Sequence, residues 1–268
     1  MNLPPSPATA CGGLFAPLSP LLERLPLAPV APDTAVLDYL CATWAVTTES
    51  GQPIRFVPPQ DDGQGYEARI WACGAVETRP DNWHDFFNAL VWLTFPQAKA
   101  ALNARHARAL ATRQTERGRE RDTMTHFDEC GIVVVSSNRL LLELIGDFRW
   151  KELFWERRAD LATDLRCFVF GHATYEQLLA PFRGLTAKAV LLAVGEDWLA
   201  APLATQIADI DRRLAGELAL GAYDHPRTLH PLPLMGFPGL TPASEDAAYY
   251  DDTWQFRPGR GRGGARRS

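Results

Sequence analysis

The stretch Arg79-Pro-Asp-Asn-Trp-His-Asp-Phe-Phe-Asn-Ala-Leu-Val-Trp-Leu-Thr-Phe-Pro96 decides how the rest of the chain is read. Pro80 cannot sit inside a helix, and Asp81 or Asn82 can accept the first free backbone amides of one. Asn82 with Asp85 three positions on resembles a capping box, so a helix is expected to start near residue 82. Pro96 removes a backbone donor, while Thr94 with Gln97 can cap a second helix that carries Pro96 in its first turn. The chain therefore bends at Pro96 and continues. Between those limits Trp83, Phe86, Phe87, Leu90, Val91, Trp92, Leu93 and Phe95 point in nearly every direction around the axis, the pattern of a helix buried on all sides.

Such a helix has three polar side chains to account for. His84 and Asn88 lie one turn apart on one face, with Asp85 about 100° to the side. A buried imidazole, carboxylate or amide costs free energy unless it is hydrogen-bonded. One reading has the three tie the helix to neighbouring backbone. The other makes His84 and Asp85 a general-base pair or metal ligands, because an imidazole near neutrality held by a carboxylate suits both roles.

The run Asn82-Trp-His-Asp-Phe-Phe-Asn-Ala-Leu-Val-Trp-Leu-Thr-Phe-Pro-Gln-Ala-Lys-Ala-Ala-Leu-Asn103 resembles the signature of a bacterial family known as domain of unknown function 3025. Arg121-Asp-Thr-Met-Thr-His-Phe-Asp-Glu-Cys-Gly131, Gly171-His-Ala-Thr-Tyr-Glu-Gln-Leu-Leu179, Gly184-Leu-Thr-Ala-Lys188 and His230-Pro-Leu-Pro-Leu-Met-Gly236 are similar to it as well, so the likeness spreads over roughly residues 40 to 258. His126 stands where that pattern is usually apolar and is not expected to share a role. The resemblance implies no particular activity.

Working back from the central helix, Tyr66-Glu-Ala-Arg-Ile-Trp71, Ile54-Arg-Phe-Val57 and Ala45-Val-Thr-Thr48 are short, β-branched or aromatic, and separated by turn-forming residues. They are expected to form a small antiparallel sheet, with Glu67 and Arg69 facing solvent or a cleft. Val36, Leu37, Leu40 and Cys41 mark one side of a short helix capped by Asp33. Before it, Phe15, Leu18, Leu21, Leu22 and Leu25 recur at helical spacing, but Pro17, Pro20 and Pro26 limit any helix to a turn or two. Residues 1–32 are rich in Pro and Ala and lack the pattern of a signal peptide. No stretch reaches 18 apolar residues, so no membrane contact is expected.

Working forward, Lys99, Arg105, Arg108, Arg113, Arg117, Arg119 and Arg121 make a basic run that suits phosphate or nucleic acid, or else a solvated helix face. Asp122, Thr125, Asp128 and Glu129 then precede Gly131-Ile-Val-Val-Val-Ser136, a buried strand, and carboxylates beside a central strand are placed to hold a divalent metal. A leucine-rich helix follows from about Arg139, and Asp147 can cap another. Leu165 to Phe170 reads as a strand, turned by Gly171 into a helix where His172 and Glu176 could share a metal or a proton. Ala189 to Val194 reads equally as strand or helix. Residues 204–220 form an amphipathic packing helix, and the proline-rich stretch 223–257 an ordered strap that delivers His230, Asp251, Asp252 and Arg257 to whatever it covers.

A chain of 268 residues, 46% apolar and 22% charged, can bury a sizeable core, and a net charge of −5 argues against a surface devoted to nucleic acid. The five cysteines, Cys11, Cys41, Cys73, Cys130 and Cys167, form no CxxC pair, which fits a reduced cytoplasm and gives no zinc-finger signal.

The expected fold is α+β. One domain over 33–258 has a small, mainly antiparallel sheet, a buried central helix and several packing helices, between a segment at 1–32 and a disordered basic tail at 259–268. Two functions compete. The first is a metal-dependent hydrolase acting on a phosphoester or other anionic substrate through a divalent metal. Its catalytic residues are His84, Asp85, Asp128 and Glu129, its metal ligands His84, Asp85, Asp128 and His172, and its substrate contacts Asn88, Arg119 and Lys188. The second is a noncatalytic binding protein in which His84, Asp85 and Asn88 are structural and the basic helix or tail contacts a partner, the tail giving weak nucleic-acid contact. Convergence of His84, Asp85, Asp128, Glu129 and His172 in space discriminates between them.

Overall fold

The computed structural model describes residues 13–25, 34–111, 117–223 and 225–259, and within them the side chains of all but 111–121. In chain order the elements are α1 (Ser19–Leu22), α2 (Thr34–Thr43), β1 (Arg55–Val57), α3 (Tyr66–Cys73), β2 (Ala75–Glu77), α4 (Trp83–Thr94), α5 (Pro96–Ala111), α6 (Arg117–Cys130) and β3 (Gly131–Ser136). There follow α7 (Arg139–Gly146), α8 (Arg158–Asp164), β4 (Leu165–Val169), α9 (His172–Leu178), β5 (Thr186–Ala193), α10 (Glu196–Ala200), α11 (Leu203–Ala219) and β6 (His230–Pro233). This is the expected α+β architecture.

Helix α4 starts where Asn82 accepts the amide of Asp85 at 2.9 Å. Asp85 does not complete a capping box; its carboxylate turns to Arg79 instead. Every residue of α4 except His84 is buried, including Phe86, Phe87, Leu90 and Trp92. Truncating one of these rings to Ala would cost about 3–5 kcal/mol. α4 packs against α9, and α5 packs against α3 and α11. The bend at Pro96 is capped differently from expectation. Thr94 donates its hydroxyl back to Leu90 O, and the first amides of α5, from Gln97 and Ala98, go to Asp211 of α11 at 3.1 and 2.8 Å.

The main sheet has the order β4-β3-β5-β6. β3 runs antiparallel to β4 and parallel to β5, and β6 closes the far edge antiparallel to β5. β3 is buried at every position, which explains its unbroken Val-Val-Val run. The ambiguous stretch after Lys188 is therefore a strand, selected by the pairing offered by β3. The proline-rich strap contributes β6, then wraps back through short 3-10 turns.

The region before α4 differs from expectation. Residues 66–73 are a helix: Gly65 leads in, and Gly74 at φ 69° ends it where a Cβ would lie 2.0 Å from Pro53 O. β1 instead pairs with β2, in parallel, and residues 45–48 contribute only an isolated bridge between Thr47 and Pro53. The aromatic and β-branched composition of 66–71 reflects burial, not a strand. After Asp147 the chain first passes Phe148 at φ 60° and then makes a π-helical turn, Glu152–Glu156, before α8. Leu14, Leu18, Leu21 and Leu22 are buried against the core, so residues 13–25 belong to it. Asp33, Arg119 and the tail at 260–268 lie outside the described side chains. No helix among the described residues is long and apolar enough to cross a membrane.

Candidate metal centre

Among the described residues, six elements meet around one cleft of about 300 Å³. α4 supplies His84, Asp85 and Asn88; the last two turns of α6 supply Thr125, Asp128 and Glu129; α9 supplies His172 at its start. α3 adds Tyr66 and Glu67, α5 adds His106, and Glu77 comes from the end of β2. The residues at 84/85/88 and 125/128/129 are spaced to share one helical face each. His84, Asp85, Asp128, Glu129 and His172 therefore all line the same cavity.

Gly171 makes this approach possible. It takes a backbone bond from its amide to Gly131 O at 2.8 Å, and a Cβ there would sit 2.5 Å from both Glu129 O and Gly131 N. Only a residue without a side chain lets the start of α9 lie against the α6–β3 junction.

At the centre, Glu129 Oε2 lies 3.3 Å from His84 Nε2 and 3.6 Å from His172 Nε2. One ligand atom from each of these residues falls within 4.8 Å of the others, so the three could hold a metal ion. Ligands at about 2.0–2.2 Å from a tetrahedral metal are themselves separated by roughly 3.3–3.6 Å, and these spacings match. Two imidazoles and one carboxylate are also a donor set that leaves positions open for water or substrate.

Each imidazole has a carboxylate on its Nδ1 side, hydrogen-bonded for His84 and standing beyond hydrogen-bond distance for His172. His84 Nδ1 is 3.2 Å from Asp85 Oδ1, and Asp85 is gripped by Arg79 through Nε at 2.8 Å, Nη2 at 2.9 Å and its backbone amide at 2.8 Å. His172 Nδ1 is buried without a hydrogen bond among the described residues, and Asp128 Oδ2 stands 3.8 Å from it. Asp128 Oδ1 accepts from Lys99 Nζ at 2.5 Å, and Lys99 also donates to Asn88 Oδ1 at 3.0 Å. Asn88 in turn donates to Tyr66 OH at 2.8 Å. Carboxylates behind metal-facing imidazoles fix ring orientation and tautomer.

The two histidines titrate apart. The hydrogen bond to Glu129 raises His84 to about 9 against the effect of burial, and Asp85 adds to the rise. Burial pushes His172 down to about 4, so its ring is neutral and a lone pair is available. His84 must lose its proton before Nε2 can ligate. Glu129 is held below the usual carboxylate range by the His84 hydrogen bond. Burial works to raise Asp85 and Asp128, but Arg79 and Lys99 outweigh it and keep both low.

Asp85 is thus engaged with Arg79 and His84 Nδ1, and Asp128 with Lys99; neither is in the group of three that could share an ion. Asn88 lines the cleft but is bonded to Tyr66 and Lys99. Lys188 lies on β5 opposite Gly131 and Pro231 and is not among the lining residues. Glu176 is exposed and one turn from His172, whose ligand-range neighbour is Glu129 instead. Tyr66, Glu77, His106 and the burial of Lys99 were not foreseen here from the sequence, and of the two surroundings open to Glu67, solvent or a cleft, the cleft is the one found. A signal existed for part of this: Lys99, Asn103 and His106 are spaced four and three apart and form a polar stripe on one face of α5, all buried.

The family model described as "Protein of unknown function (DUF3025)" matches residues 54–260, and the chain belongs to that family. No curated protein and no solved structure matches the chain.

Proposed function

We propose that His84, Glu129 and His172 hold one divalent metal, and that the protein is a metal-dependent hydrolase acting on a phosphoester or another anionic ester. The observation that carries this reading is the spacing of Glu129 Oε2 from the two Nε2 atoms, 3.3 and 3.6 Å, with a carboxylate behind each imidazole. When bound, a divalent metal in such a site polarises the ester and activates water. The chain's own residues then have distinct tasks. Asp85, fastened by Arg79, orients His84; Asp128, fastened by Lys99, faces the Nδ1 side of His172. Among the described residues Arg79 and Lys99 are already committed to these carboxylates, so the substrate's negative charge is left to the metal. The free cysteines Cys41, Cys73, Cys130 and Cys167 accord with a cytoplasmic setting.

The test is hydrolysis of aryl phosphoesters by the full chain loaded in turn with Zn²⁺, Mn²⁺ and Mg²⁺. Activity that chelation abolishes and that His172→Ala lacks supports the reading. Metal uptake without turnover of any ester would overturn the hydrolase assignment. One observation favours a second reading, a noncatalytic binding protein: His84 already has a protein partner on each ring nitrogen and can serve as a structural ion pair.

A further inference from the structure

Among the described residues the cleft is lined by five carboxylates, and four are held by a cationic or imidazole partner: Glu77 by Arg69, Asp85 by Arg79, Asp128 by Lys99 and Glu129 by His84. Glu67 differs. It makes no salt bridge among the described residues. Its Oε2 accepts from Asn103 Nδ2 at 2.7 Å, and the same nitrogen donates to the Glu67 carbonyl at 2.9 Å, so Asn103 fastens carboxyl and backbone together. Asn103 is itself buried, which leaves this anchor little freedom. Oε1 takes no hydrogen bond from the described residues. Burial raises the Glu67 carboxyl, against the charge of His106, so it holds a proton more readily than an exposed glutamate. A carboxyl fixed through one oxygen, without a cation in salt-bridge contact among the described residues and lining the cleft of the candidate metal ligands, is suited to carrying a proton.

We propose that Glu67 is the general acid–base residue of this cleft and that Asn103 is its positioning residue; the inference rests on the hydrolase reading above. In the step envisaged, the oxygen of a water molecule bonds to phosphorus while Glu67 Oε1 takes one of its protons. The bond from phosphorus to the leaving oxygen breaks, and its electron pair goes to that oxygen. Glu67 returns the proton to the leaving oxygen, the water's second proton stays with the phosphate product, and the carboxylate is regenerated. None of the other four carboxylates can take this part without giving up its partner.

The experiment compares wild type, Glu67→Gln and His172→Ala, each loaded with Zn²⁺ or Mn²⁺, on two phosphodiesters. One has p-nitrophenolate as leaving group, which departs without a proton; the other has phenolate, which does not. Glu67→Gln keeps an oxygen for Asn103 and is expected to bind metal as wild type does. Its kcat on the phenyl ester should fall by about 10²–10⁴-fold, with a smaller loss on the nitrophenyl ester and loss of one limb of the pH–rate profile. Equal losses on both esters with the pH profile intact would mark Glu67 as merely structural and overturn the proposal, as would an unchanged rate. If wild type binds metal and turns over neither ester, or if His172→Ala remains active, the hydrolase reading itself fails and the role of Glu67 fails with it.

Discussion

His84 of α4 and His172 of α9 meet edge to face, with ring centroids 4.5 Å apart and planes at 79°, and both direct Nε2 at the carboxylate of Glu129. Each ring turns Nδ1 towards a different carboxylate, Asp85 or Asp128, and each of those is fastened by a different cation, Arg79 or Lys99. Two unrelated segments thus bring an imidazole with an anchored carboxylate on its Nδ1 side to one point, at 3.2 Å for His84 and 3.8 Å for His172. The consequences can be measured.

Asp85 acts through His84. Asp85→Asn removes the charge that keeps the imidazole oriented and loosens the grip of Arg79. Metal affinity should fall about 10–100-fold while the fold is retained, as read by titration calorimetry alongside circular dichroism. Unchanged affinity would show that Asp85 serves only the start of α4.

Lys99 and Asp128 form a largely buried pair, their side chains 5% and 14% exposed. Lys99→Met strands the carboxylate and should destabilise the protein by about 3 kcal/mol, since breaking a buried pair costs more than replacing it. Lys99→Met with Asp128→Asn should recover a substantial part of the loss. Denaturant unfolding of the two variants provides the check, and equal stability of single and double variants would refute the argument.

Gly171 is required by contact, since its backbone φ of −69° suits any residue. Gly171→Ala places a methyl group against Glu129 O and Gly131 N, so α9 must retreat from α6 and carry His172 away from Glu129. Metal binding should be lost with a stability cost of about 1–3 kcal/mol. Wild-type metal affinity in this variant would mean that the two helices can separate without disturbing the ligands.

Asp211 gives the fold a pH signature of its own. Burial raises its carboxyl to about 6, although it accepts the amides of Gln97 and Ala98. In the unfolded chain an aspartate titrates near 3.9. Between those values the folded protein keeps a proton that the unfolded chain has released. Its stabilising contribution is therefore complete below about 4 and is lost as pH rises through about 6, a change of up to about 3 kcal/mol. Asp211→Asn should flatten that part of the stability profile, measured by thermal unfolding from pH 4 to 7. Parallel profiles for variant and wild type would contradict it.

The central helix was legible because its cues are local: a proline and a capping Asn at one end, a proline at the other and apolar residues all round. The buried strand Gly131–Ser136 was legible for the same reason. Residues 66–73 were not, because a short apolar segment fits strand or helix until its neighbours are known, and here Gly74 and the close approach of Pro53 decide. Within the cleft, His84, Asp128, Glu129 and His172 could be named from residue type, but which of them share a point depends on the packing of α4, α6 and α9. The division of labour between Asp128 and Glu129 was hidden because it depends on Lys99, whose burial is invisible in a run that otherwise reads as a solvated basic face. Glu67 was assigned to a strand in place of its helix, with a cleft as one of two surroundings that the sequence alone could not separate.

The most direct measurement is metal stoichiometry and affinity, by calorimetry with Zn²⁺ and Mn²⁺ near pH 8, for wild type and for His84→Ala, Glu129→Gln and His172→Ala. One equivalent bound by wild type, with a rise in stability of about 2.7 kcal/mol at a hundredfold excess over Kd and binding lost in each variant, is the predicted result. Failure of wild type to bind either metal, or retention of the same equivalent in all three variants, would contradict the account.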